Sequence, residues 1–290
     1  MCWFRRIPIM AQSDVNVSNL ALRLMGSRVV LTAMADTTVE GVACNANLED
    51  CRKSLLRMHP WNFATRRKVL QAYANIAVSN VTFVSSELIE VTHASTTYVA
   101  GNYVTLTGIQ GATAANGTWE VASVPNGTTT RLTAIGITTS DLLGTYVASD
   151  ADYIRRSPAF GFTYLFALPS DYIRILDVDP SSEEWKVEDG FILSNTDVLQ
   201  IRYVWNVTDF TLMDTLFYQT LGHWFAYNLC DHITASDGKK NELHAYLFGG
   251  QGKRGVLSLT RFVDATESSL EEIEATDWTG ARVSGPFFGP

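Results

Sequence analysis

The sequence predicts an α+β fold: a helical core with a small antiparallel sheet, carrying an inserted all-β domain of sandwich or barrel-like form. Three observations predict it. Apolar residues recur at helical spacing on either side of residues 78–156 but not within them. That central stretch shifts to Thr, Val, Gly, Ala and Asn, with few charges and short alternating runs cut by turn residues. Finally, His59-Pro60-Trp61-Asn62-Phe63-Ala64 follows the basic segment Arg52-Lys53-Ser54-Leu55-Leu56-Arg57 and is too apolar and too rigid for an ordinary surface loop.

Taken in order, residues 1–9 carry two arginines but neither a long apolar run nor a small-residue cleavage site, so a disordered extension is expected rather than a secretory signal. Met10-Ala11 reads as an alternative translation start, with Met1 the other. A helix is expected over residues 15–25 with Gly26 as its stop, and a second over 38–58. In the second, Val42, Leu48, Leu55 and Leu56 are expected to share a stripe, with Cys44 and Cys51 alongside. Pro60 lacks an amide hydrogen and holds His59 extended, so this helix ends there. Trp61 and Phe63, two apart in extended chain, then point the same way into a core.

Within residues 78–156, alternation at Tyr103-Val104-Thr105-Leu106-Thr107 and Thr118-Trp119-Glu120-Val121, between Gly and Asn-Gly turns, reads as a small antiparallel sandwich or barrel. Five sequon-like triplets, at Asn16, Asn80, Asn116, Asn126 and Asn206, read as turn chemistry and chance. Strands are expected at 162–168, 172–178, 185–187, 191–193 and 198–205, with Asp189-Gly190 as a hairpin turn. Leu168-Pro169-Ser170-Asp171 ends one of these strands, because proline removes a ladder donor.

From about residue 212 to 233, Met213, Leu216, Phe217, Leu221, Trp224 and Phe225 predict a helix buried on two sides, with Gly222 marking close approach of another backbone. A further helix starts near Asp237. Gly249, Gly250, Gly252 and Gly255 weaken it while Leu243, Leu247, Leu257 and Phe262 keep its pattern, so the expectation is helix, with a break at the glycines as the alternative. Residues 270–290 read as an extended docking tail with Trp278, Arg282, Phe287 and Phe288 as contacts. The expected division is therefore 1–9, a discontinuous core of 10–77 and 157–269, the insert 78–156, and the tail.

The 290 residues are 46% apolar and 11% aromatic, enough for a sizeable core and two domains. Lys and Arg total 22 against 30 Asp and Glu, a net charge of −8 that argues against a general nucleic-acid binder. No apolar run approaches the roughly 18 residues of a membrane span. Four cysteines, Cys2, Cys44, Cys51 and Cys230, lack any paired spacing and read as buried free thiols made in a reducing cytoplasm.

Candidate chemistry is sparse. None of the five histidines, His59, His93, His223, His232 and His244, has another at the i, i+4 spacing of helical zinc sites. His223 and His232 read as structural. Gly250-Gln251-Gly252-Lys253-Arg254 fails as a phosphate loop on spacing, on the residue after Lys253 and on the absence of a preceding buried strand. There is no Gly-x-Ser-x-Gly elbow, and Glu183-Glu184 and Asp177 with Asp179 look like solvated edges. The sequence thus predicts no enzyme, no metal and no cofactor.

Several segments, in order, resemble one family. The run from Arg52 to Arg57 with His59-Pro60-Trp61-Asn62-Phe63-Ala64 and Arg66-Arg67, then Ser157-Pro158-Ala159-Phe160-Gly161-Phe162, Leu168-Pro169-Ser170-Asp171-Tyr172-Ile173-Arg174, and Ile201-Arg202-Tyr203-Val204 with Asp209 are similar to the tail tubular protein A family, the head-to-tail adaptors of short-tailed bacteriophages. The resemblance covers residues 16–77 and 157–269, and the β-rich insert departs from it. It implies a structural virion protein of the neck: a dodecameric ring between the portal protein and the tail nozzle, passing DNA without sequence-specific binding. Insertions are tolerated at exposed loop tips, so the insert is expected outside the assembled body.

Two other function classes remain open at this point. The β insert could be a binding module for a tail fibre or a host glycan, with Tyr98, Tyr103 and Trp119 as contacts, although Trp119 within an alternating strand favours the core. A virion-borne wall hydrolase would need a carboxylate pair or nucleophile that the sequence does not display.

Overall fold

The computed structural model describes residues 12–94, 98–179, 184–250 and 252–267. They combine helices with antiparallel sheets, an α+β fold. The chain forms two compact units, one from Met1–Ala64 with Val207–Pro290 and the other Thr65–Asn206. The tail residues Trp278, Arg282, Phe287 and Phe288, and the first nine residues, lie outside the described residues.

Helix α1 spans Asp14–Met25. Its N-cap Ser13 accepts a hydrogen bond from the Asn16 amide, and Gly26 closes the other end at φ 88°, a left-handed conformation that costs glycine nothing. Helix α2 spans Val39–Met58 behind an N-cap Thr38. Its buried stripe is Gly41, Cys44, Leu48, Cys51 and Leu55, a repeat of three and four residues. Val42 falls off that stripe and is 59% exposed, contrary to the expected pattern, because its neighbours at 41 and 44 occupy the inner face. Burial lifts the thiols of Cys44 and Cys51 to about 11. Both therefore stay protonated at neutral pH and should resist alkylation at pH 8 until the chain is unfolded. With ordinary thiols near 9 in the unfolded chain, stability is expected to fall as pH rises from 9 to 11, checked by denaturant midpoints across that range.

In the second unit, β1 (Thr65–Gln71) leads into β2 (Ile76–Ser85), β3 (Leu88–His93), β4 (Tyr103–Thr107), β5 (Gly117–Asn126) and β6 (Thr129–Thr133). A single helical turn, α3 (Ser140–Leu143), precedes β7 (Tyr153–Arg156). Strands β2-β3-β6-β5-β4-β7 close into an antiparallel barrel, which decides between the two forms that the sequence left open. Its interior is filled by Val81, Ile89, Val91, Val104, Leu106, Val121, Leu132 and Ile154. Two sequon asparagines do turn chemistry: the Asn116 side chain brackets Ile109 through its amide and carbonyl, and Asn126 accepts from the Thr128 amide.

After the barrel come β8 (Tyr164–Ala167), β9 (Tyr172–Asp179), β10 (Trp185–Glu188), β11 (Phe191–Ser194) and β12 (Val198–Trp205). They make two three-stranded antiparallel sheets, β1-β12-β9 and β10-β11-β8, over a core of Leu70, Phe166, Ile192, Leu199, Ile201 and Tyr203. The β10–β11 turn has Asp189 at φ 45° and Gly190 at φ 76°, the pair of left-handed residues a two-residue hairpin requires.

The chain then returns to the first unit. Helix α4 is Thr215–Ile233, shorter at its start than expected: Phe210–Leu212 is a separate 3-10 turn, and Asp214 caps the helix by accepting from the Leu216 and Phe217 amides. Phe217, Leu221, Phe225, Ala226 and Leu229 are buried, and α4 packs on α1 and α2. A β-carbon at Gly222 would collide with the Leu20 side chain of α1, so the close approach expected there is made by a side chain, not a backbone.

Helix α5 (Asp237–Phe248) begins at its N-cap Ser236. The four-glycine stretch does not continue it: Gly249–Gly250 (β13) pairs with Lys253–Arg254 (β14) before helix α6, Val256–Thr266. The reason is steric. A β-carbon on Gly255 would strike the backbone at Leu247, Phe248 and Gly249, so the chain folds back on itself at a spacing only glycine permits.

Candidate functional site

The His59-to-Phe63 motif is a junction of three helices. Trp61 is fully buried, and its indole donates to the Leu55 carbonyl in the last turn of α2 at 3.0 Å. Its ring meets Phe217 of α4 edge-on at 4.9 Å, and Phe63 meets the same ring at 4.8 Å. The two aromatics do converge, but through the 3-10 turn Asn62–Ala64 rather than through extended chain. His59 Nε2 lies 3.1 Å from the Asp264 carboxylate on α6, which also accepts from the Asn62 amide at 3.1 Å, while the Asn62 side chain donates to the Asp264 carbonyl at 2.6 Å. Pro60 itself is exposed at the corner. Asp264 was not singled out in the sequence, where one acid on an amphipathic stretch carries no signal.

Asp171 organises a second cluster, in the other unit. Arg66 of β1 donates to it at 2.9 Å and the Tyr203 hydroxyl of β12 at 3.0 Å, while the Arg66 guanidinium stacks over the Trp205 ring at 3.3 Å. Burial, then the hydrogen bond to Asp171, raises the Tyr203 hydroxyl above its ordinary value. Pro169 is buried just before, where the β8 strand ends. The cluster thus ties β1, β12 and the start of β9 together. Its residues position the strands through these contacts.

The three barrel aromatics separate. Tyr98 is only 8% exposed, its ring edge-on to buried His93 and its hydroxyl donating to the Ile154 carbonyl, so it is a core residue and is withdrawn as a ligand contact. Trp119 is half-buried against the barrel core and donates to the Ala115 carbonyl at 2.7 Å, in keeping with the core reading. Tyr103 does reach the surface, on an open cleft of about 330 Å³ that also includes Arg156, Phe160, Lys186, Glu188 and Phe191. Phe160 is 87% exposed beside Gly161, a feature no periodicity argument could isolate because it lies in a loop.

Helix α6 is apolar on two sides. Leu257 and Thr260 face inward, with the Thr260 hydroxyl bonded to that of Thr220 on α4 at 2.8 Å. On the other side Leu259 and Phe262 are 51% and 57% exposed, with Val263 beside them. His223 stacks on Tyr246 of α5 at 4.3 Å and its Nδ1 lies 2.9 Å from the Gln219 carbonyl, with burial lowering its pKa. His232 is exposed at the end of α4.

No family model matches the chain, and no curated protein is similar to it in sequence. Among the described residues, no group of three or more His, Cys, Asp or Glu is placed to hold a metal ion. No helix among them is long and apolar enough to cross a membrane.

Proposed function

We propose that this protein is a head-to-tail adaptor of a short-tailed bacteriophage, a virion protein of the neck whose copies form a ring between portal and tail nozzle and continue the DNA channel. The observation that carries the reading is the outer face of α6: Leu259, Phe262 and Val263 are left exposed on a helix whose opposite side is already packed. A second apolar face on α6, the last helix among the described residues, suits a subunit that repeats a heterologous contact around an axis. The segments that carry the family resemblance support it further, since His59, Trp61 and Asn62 join α2, α4 and α6 while Arg66 and Asp171 fix a sheet. A net charge of −8 per copy favours a channel along which DNA slides without being held.

The test is the mass and electron-microscopic symmetry of the purified protein, alone and with portal. A closed dodecameric ring that seats on the portal is expected. A lone species that never engages portal would overturn the reading. Deleting residues 271–290 is expected to abolish portal docking while leaving the ring.

One observation favours a second reading, in which the barrel docks a tail fibre or glycan: the cleft that holds Tyr103 and exposed Phe160. Replacing both by alanine would then abolish attachment without affecting ring formation.

A further inference from the structure

We infer that strand β1 of one copy pairs with strand β9 of the next, making the β1-β12-β9 sheet continuous between neighbours. This rests on the ring reading and names one of its interfaces. Among the described residues both strands lie at the edges of their sheet, in the order β1-β12-β9, and Arg66, Arg67, Lys68 and Val69 of β1 are consecutively exposed. Because β12 is antiparallel to each, β1 and β9 run the same way, and a neighbouring copy in the same orientation would offer its β9 to β1 as a parallel partner.

The charges say which partner fits. Across the solvent-facing side, one row reads Arg67, Arg202, Asp177 and the next Val69, Gln200, Asp179. Two like charges directly opposite, Arg67 and Arg202, destabilise the sheet on its own. Arg202 has Asp177 at 3.8 Å on its far side; among the described residues no ion pair holds Arg67 or Asp179. Continuing the row into the next copy places that copy's Asp177 beside Arg67, with its Asp179 on the diagonal. Arg174, the one basic residue of β9, falls in the uncharged row of Val204 and Thr65 and meets no like charge.

Charges on edge strands ordinarily prevent pairing. Here they are of opposite sign on the two edges, so they oppose β1 against β1 and β9 against β9 while admitting β1 against β9. Such a contact is heterologous, as a ring requires. Val69, 59% exposed on the edge, would be covered by it.

The experiment uses two full-length variants, Arg67→Glu and the double variant Asp177→Lys with Asp179→Lys, with association followed by analytical ultracentrifugation. Arg67→Glu removes the like-charge pair within the chain, so the fold should melt no earlier than the wild type while self-association weakens by about 100-fold. The second variant should likewise fail alone. Mixed in equal amounts, the two should assemble, because every β1–β9 contact in an alternating ring is again between opposite charges. Arg67→Glu rings as stable as wild-type rings, or a mixture that stays dissociated although both variants keep the wild-type circular dichroism and a cooperative melt, would overturn the pairing and leave the ring reading intact. Wild-type chains that never associate would overturn both.

Discussion

Replacing Trp61 by alanine is expected to lower the unfolding free energy by about 3–5 kcal/mol, among the largest effects of any single substitution in this chain. The indole is 1% exposed and touches two elements beyond its own loop. Its loss opens a cavity against Phe217 and removes the indole hydrogen bond to the Leu55 carbonyl. Trp61→Phe separates the terms: it keeps most of the apolar volume and loses the hydrogen bond, so a drop of about 1–2 kcal/mol is expected. Urea titration followed by circular dichroism measures both. A loss below 1 kcal/mol for the alanine variant would mean that the loop merely rests on the helices.

Asp264→Ala is expected to cost about 2–3 kcal/mol, because it removes the common acceptor of the Asn62 amide and the His59 ring in a site where the carboxylate is only 10% exposed. The effect should be local first. Among the described residues, this side chain and the Asn62 bond to its carbonyl link α6 to the loop, so amide exchange in residues 256–266 should accelerate ahead of α2 and α4. Uniform acceleration across all three helices would instead show that α6 and the junction open as one unit.

Much of the fold was legible in the sequence because its signals are local. Gly26 stops a helix and Asp189-Gly190 turns a hairpin, each within a few residues of its effect, whereas Ser13, Thr38 and Ser236 were not singled out in the sequence as N-caps. The misreadings arose where periodicity could not choose a face or an end. Val42 fits a helical stripe as well as Gly41 does until the neighbours of α2 are known. Leu212 and Met213 extend the apolar pattern of α4, yet Asp214 ends it by capping. Tyr98 looked available because loop position says nothing about whether a barrel closes over a ring.

By itself the sequence determined that helices flank a Thr- and Val-rich β region, that the His59-Pro60-Trp61 corner ends a helix in a core, and that Cys44, Cys51 and Cys230 are unpaired thiols. Only the tertiary structure decided that the β region closes as a barrel, that Asp264 and Asp171 gather distant donors, and that the edges of one sheet carry opposite charges. The division has a physical cause. Caps, turns and periodicity depend on residues a few positions apart, whereas closure, shared acceptors and strand order depend on pairs such as Asn62 with Asp264 or Arg66 with Asp171, whose meeting is set by the path of the whole chain.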